Sequence, residues 1–119
     1  MGLDNFIVVE DDALYPVIHK ELDGIFVMRG LVCSTGNHWI RGKRYNDAVE
    51  VVTGQTLYKE NIDPDTVKRM SKLISKTKAR EVRDYLSEFE DDEYEKHWKG
   101  VQKFFKVAAK YNASIGGWW

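Results

Sequence analysis

The chain predicts an α+β fold in which a small N-terminal antiparallel sheet and one short helix pack with two long C-terminal amphipathic helices. Three observations carry this. Two runs rich in β-branched and aromatic residues lie in the first half, apolar residues recur at spacings of three and four beyond residue 64, and Asp63-Pro64 stands at the join. At 119 residues the chain suits one domain with one core, burying roughly two-thirds of the unfolded surface.

Phe6–Val9 and Ile25–Val32 are the best strand candidates, with turn-forming Asp23-Gly24 between them. Tyr15–His19 reads two ways, because Pro16 either starts a short edge strand or caps a loop. Cys33–Tyr45 contains Gly36 and Gly42 and is expected to be a loop or hairpin, regular only near Trp39 and Ile40. Asn46 or Asp47 is placed to cap a short helix carrying Ala48, Val49 and Val52, with Gly54 at its end. Gln55–Tyr58 is expected to run extended.

Asp63-Pro64 starts the next helix: Asp63 accepts from free backbone amides, and Pro64 lacks only a donor that the first turn does not use. Val67, Met70, Leu73, Ile74 and Thr77 share one face, continued by Val82, Tyr85, Leu86 and Phe89, with a break or kink placed near residues 77–79. Asp92 with Glu95 resembles a capping box for a last helix that turns Tyr94, Trp98, Val101, Phe105 and Ala108 inward. The organisation is thus a strand-rich part over residues 1–60, a helical part over 63–112, and a tail over 113–119. That tail ends on Trp118 and Trp119 behind two glycines and is expected to dock, with the two tryptophans as the contact to a neighbouring subunit or partner. There is no internal repeat or long linker.

Composition narrows the function classes. Eighteen basic and nineteen acidic side chains leave a net charge of −1, so no uniform field steers the protein to nucleic acid or anionic membrane, and an anion site must be local. Nucleic acid is therefore a disfavoured partner. No apolar run approaches the roughly 20 residues of a membrane span. The lone Cys33 cannot form an internal disulfide, and the opening residues lack the basic and apolar regions of a signal peptide, which makes the cytoplasm the expected compartment. His19, His38 and His97 are too scattered for a zinc signature, and Asp4, Glu10, Asp11 and Asp12 read as solvated acids, so neither metal nor cofactor is expected. Cys33 beside His38 could form a nucleophile pair, but a buried structural thiol is the commoner role. With no nucleophile, base and orienting group to assemble, a non-enzymatic protein is expected.

Charge falls in blocks. Lys68–Arg83 holds seven basic residues and one acid, Asp84–Glu95 holds seven acids, and Lys96, Lys99, Lys103, Lys106 and Lys110 form a stripe with helical spacing. Such stripes are ordinarily solvated helix faces, yet two of them side by side would repel unless paired or bound to an anion. The segment around Asn37, His38, Trp39, Arg41, Lys43, Arg44 and Tyr45 gathers amides, cations and aromatics, the groups that hold a nucleotide: arginine forks to phosphate, and Trp39 or Tyr45 can stack on a base. It is neither a P-loop nor a dinucleotide fingerprint. The structural alternative is a surface hairpin with Trp39 and Ile40 packed inward.

Met1–Asn5, Arg41–Tyr45 and Val52–Tyr58 together resemble segments of small phage-encoded proteins, mostly without assigned function. The resemblance covers the N-terminal half and brings no catalytic motif. It implies an anti-defence context: a protein that sequesters a nucleotide-derived immune signal in the cytoplasm of an infected bacterium, as a homo-oligomer in which Trp118 and Trp119 make the contact. One alternative is a protein that blocks a host enzyme or effector by direct contact, through those tryptophans or the acidic block; a further alternative is a nucleic-acid-binding protein that uses the lysine-striped helices.

Overall fold

The computed structural model describes residues 2–25 and 38–119. Among these, four strands form one antiparallel sheet: β1 (Asp4–Val8), β2 (Trp39–Ile40), β3 (Asn61–Ile62) and β4 (Ser114–Trp118), in the spatial order β2-β1-β4-β3. The helices are α1 (Leu14–Glu21), α2 (Gly42–Thr53), α3 (Pro64–Lys76) and α4 (Tyr94–Lys110), with a 3-10 helix at Ala79–Leu86. The α+β class is as predicted, and α3 packs on α4. None of the described helices is long and apolar enough to cross a membrane.

Alternation along the strands decides what the sheet buries. Ile7 pairs with Ile115, which pairs with Ile62, so three buried isoleucines form one row across β1, β4 and β3. The next row on the same side is Ile40, Asn5 and Gly117. Asn5 is fully buried, and its Nδ2 donates to the carbonyls of Leu57 (3.0 Å) and Gly116 (3.2 Å). A Cβ on Gly42 would fall on Asn5 Oδ1, and one on Gly117 would strike the Lys59 carbonyl, so both positions require glycine by close approach. On the opposite side, Phe6 lies over Gly116 and its ring packs on Trp39 at 4.4 Å between centroids.

The seam between α3 and α4 is tied at the end of α3. Trp98 Nε1 donates to the Thr77 carbonyl (2.8 Å), and Gln102 Nε2 to those of Ile74 (3.1 Å) and Thr77 (3.0 Å). These side chains bond the carbonyls at the helix end, adding to the Thr77 N–H that also donates to Ile74 O. Helix α4 then stops in a Schellman turn: Asn112 takes φ +53°, the Ala113 N–H donates to Ala108 O (2.9 Å), and the Asn112 N–H to Ala109 O (3.2 Å). β4 starts one residue after Ala113.

Several expectations are corrected. Residues 14–21 are helical, since Pro16 lies within the first turn of α1, where a missing N–H is tolerated. Helix α2 begins at Gly42, so Asn46 and Asp47 are not its cap; the Asn46 side chain instead accepts from the Leu57 N–H at 2.7 Å. Leu73 and Tyr85 are exposed, and Glu93, with no side-chain capping bond, precedes α4 in place of the expected Asp92 cap. The tail is the strand β4, flanked by β1 and β3, so the sheet is not N-terminal alone. The Asp63 cap holds, its carboxylate accepting from the Thr66 N–H at 3.1 Å, and the break near residues 77–79 lies at the end of α3. Of the expected strand Ile25–Val32, residues 26–32 lie outside the described residues, as does Cys33.

Replacing Asn5 by Ala strands two buried carbonyls and is expected to cost about 2–3 kcal/mol. Asn112→Gly, which keeps the left-handed turn, should stay within about 0.5 kcal/mol of the parent. Urea unfolding followed by circular dichroism measures both; equal losses would contradict the role given to Asn5.

Candidate functional site

The segment singled out as a nucleotide loop is a strand followed by the first turn of a helix. Gly42, Tyr45, Asn46, Ala48 and Val49 are the buried positions of α2, so helical spacing turns Arg41, Lys43 and Arg44 outward. These three cations and Glu88 line a surface cavity of about 570 Å³. The first turn of α2 carries no acidic residue and no side-chain cap, leaving the positive end of the helix beside the cations. Arg44 Nε lies 3.7 Å from Glu88, an ion pair with both side chains about half exposed.

Beneath the cations is an aromatic cluster. Tyr45 is 1% exposed and its hydroxyl is 2.9 Å from His97 Nδ1. Phe89 stacks on both rings, at 5.6 Å from Tyr45 and 3.9 Å from His97, and the Arg44 guanidinium sits over the Phe89 ring at 4.8 Å. Burial pushes the Tyr45 phenol well up, and burial followed by the Arg44 charge pushes His97 down to about 4. At neutral pH the phenol keeps its proton and the imidazole is uncharged, and the imidazole tautomer sets which of the two donates across this contact. Tyr45 is therefore a core residue and cannot stack on a base from solvent, which corrects its expected role.

The other expected residues divide. Trp39 is half-buried on Phe6 with its Nε1 buried and unbonded among the described residues. Asn37 lies outside the described residues. His38 is drawn away from the cavity residues into a second cluster, its Nδ1 2.7 Å from His19 Nε2, its ring 4.8 Å from that of His19 and 5.0 Å from Tyr15. Burial, then the charge of His19, pushes His38 down to about 4. No local pattern points to this pair, since nineteen residues separate its members. Trp118 is 59% and Trp119 48% exposed, and Tyr58 meets Trp119 edge to face at 5.8 Å. No group of three or more metal-ligating side chains occurs among the described residues.

No protein family, curated protein or solved structure matches this chain. Its chemistry is therefore judged from geometry. A further cavity of about 480 Å³, at the end of β1, is lined by Val8, Val9, Leu14 and Pro64 together with Glu10 and Asp11 and has no cation. An anion is suited to the start of α2 and not to this one.

His38 and His97 stay neutral in the fold down to about pH 4, whereas an unfolded chain takes up their protons near pH 6.5. Their depressed values therefore give stability that is complete above pH 6.5 and lost progressively as pH falls to 4. Glu21, held low by the Tyr111 hydroxyl and by Lys110, and Asp63, held low by Thr66, add losses only below the ordinary carboxylate range. The thermal midpoint should be flat from pH 8 to 7 and fall between 6.5 and 4. In His97→Gln that fall should shrink by about half; an unchanged slope would remove His97 as a source.

Proposed function

We propose that the chain is a non-catalytic binding protein that captures a nucleotide-derived ligand through its phosphates, with Arg41, Lys43 and Arg44 as the contacts. The observation that carries this reading is the convergence of those three cations on one cavity at the positive end of α2. A cavity near 570 Å³ falls in the range of small-molecule sites. The Arg44–Glu88 pair is long and half exposed, so a phosphate that accepts a forked pair of hydrogen bonds from Arg44 displaces it at small cost. With Tyr45 in the core, recognition rests on phosphate and sugar more than on base stacking.

The phage-like segments suggest the setting, sequestration of an immune signal in the cytoplasm of an infected bacterium. Exposed Trp118 and Trp119 are suited to the contact between copies of the chain. One observation favours a second reading: Tyr58, Trp118 and Trp119 form an exposed aromatic group of the kind that anchors protein interfaces, which fits an inhibitor of a host effector.

A thermal-shift panel of cyclic dinucleotides, cyclic mononucleotides and cyclic ADP-ribose isomers tests the first reading. At a hundredfold excess over Kd, one of them should stabilise the fold by about 2.7 kcal/mol, a shift of roughly 10 °C. Arg41→Ala should abolish the shift while leaving the free protein's midpoint within about 1 °C, because Arg41 is exposed. Equal binding by that variant would refute the assignment, and silence across the panel together with co-purification of a host protein would favour the second reading.

A further inference from the structure

Two neighbouring surface cavities of about 320 and 330 Å³ lie along α4, beside the end of α3 and the residues that follow it, and Lys99 and Gln102 line both. Lys78 and Arg80 stand at one end, Lys103 and Lys106 at the other, and Glu95 is the single acid in the lining. The ion pairs among the described residues are Arg44–Glu88, Arg83–Asp91 and Lys110–Glu21, and none of them involves a cation of this groove.

The groove is fixed in shape. The bonds from Trp98 and Gln102 to the last carbonyls of α3 hold the two helices at this point, so the cations project from a rigid frame. Lys99, Lys103 and Lys106 follow one face of α4 with axial steps of about 6 and 4.5 Å, a spacing comparable with that of successive phosphates along a strand. Five like charges in one strip repel one another, and a bound polyanion relieves that repulsion while releasing its own counterions.

We propose that this groove binds the sugar-phosphate backbone of nucleic acid without regard to sequence. Its chemistry separates this partner from an acidic protein. Protein interfaces draw their affinity from aromatic or apolar anchors seated in pockets, whereas the only apolar residues lining this groove are Ala79 and the buried Trp98, and the rest are Ser75, Gln102, Glu95 and the five cations. Trp98 is wholly buried and presents no face for a base, so the contact is electrostatic. The net charge of −1 does not oppose this, because the groove's field is local and Glu95 is the one acid against five cations in its lining. The groove shares no residue with the cavity at the start of α2, and the inference does not rest on the ligand proposed there.

Fluorescence anisotropy of a labelled 20-nucleotide oligothymidylate, at rising salt, tests it. With about four phosphates neutralised, the slope of log K against log salt should be near −3, a weakening of about 50-fold from 50 to 200 mM. The K99E/K106E variant should bind at least tenfold more weakly, and K99Q/K106Q, which removes charge without adding repulsion, should lie between it and the parent. K20E/K59E, with the same change of charge at exposed positions outside the groove, should bind as the parent does. No binding at 50 mM salt, an equal loss in K20E/K59E, or polyglutamate competing as well as polythymidylate would each overturn the proposal.

Discussion

The carboxamide of Asn5 joins three parts of the chain that are far apart in sequence: its own strand, the turn at Leu57 and the last strand at Gly116. A polar group in the middle of a sheet's buried face is costly unless its hydrogen bonds are made, so this one constrains its surroundings more than any isoleucine beside it. Both amide hydrogens have carbonyl partners. The oxygen has no hydrogen-bond partner among the described residues and lies where Gly42 leaves out a Cβ. Gly42, which opens α2, answers to the Asn5 side chain, while Gly117 in β4 answers first to the Lys59 carbonyl and then to the Asn5 amide.

That constraint sets the placement of the functional surfaces. With Gly42 held against Asn5 and the Lys43 N–H donating to Leu3 O at 3.2 Å, the first turn of α2 is fixed to β1, and Arg41, Lys43 and Arg44 are carried on a rigid support. With β4 held in register by its pairing to β1, the left-handed turn at Asn112 sets where α4 must end. The lysines of α4 are thereby phased against α3, and the two terminal tryptophans emerge beside Tyr58. A single buried amide thus bears on the mouth of α2, the groove of α4 and the aromatic group at the C-terminus.

Much of this is legible where local chemistry decides structure. Asp63-Pro64 marks the start of α3, Gly54 takes φ +73° at the end of α2, and the inward faces of Val67, Met70 and Ile74 and of Trp98, Val101 and Phe105 follow from spacing alone. The expectations that fail depend on distant partners. Asn46 resembles a helix cap because nothing local reveals that its acceptor serves Leu57. Tyr45 resembles a stacking residue because its neighbours in sequence are cations, while its neighbours in space are Phe89 and His97, more than forty residues away. The glycine-rich tail reads as a docking segment, but its two glycines are there to admit the Phe6 ring and the Lys59 carbonyl, which no pattern within the tail discloses.

Charge segregation is the last feature that the fold arranges in space. The acidic block meets the basic segments at two points, Glu88 with Arg44 and Asp91 with Arg83, and the first of these closes one side of the cavity at α2. A carboxylate in such a place tempers the site: it lowers affinity for simple anions, yet yields to a ligand whose phosphates engage several cations at once. The groove along α4 has only Glu95 in its lining, so it suits an extended polyanion held by many weak contacts. The two proposed surfaces therefore differ in charge, one with a paired acid and the other with Glu95 alone among five cations, although the net charge of the chain is almost zero.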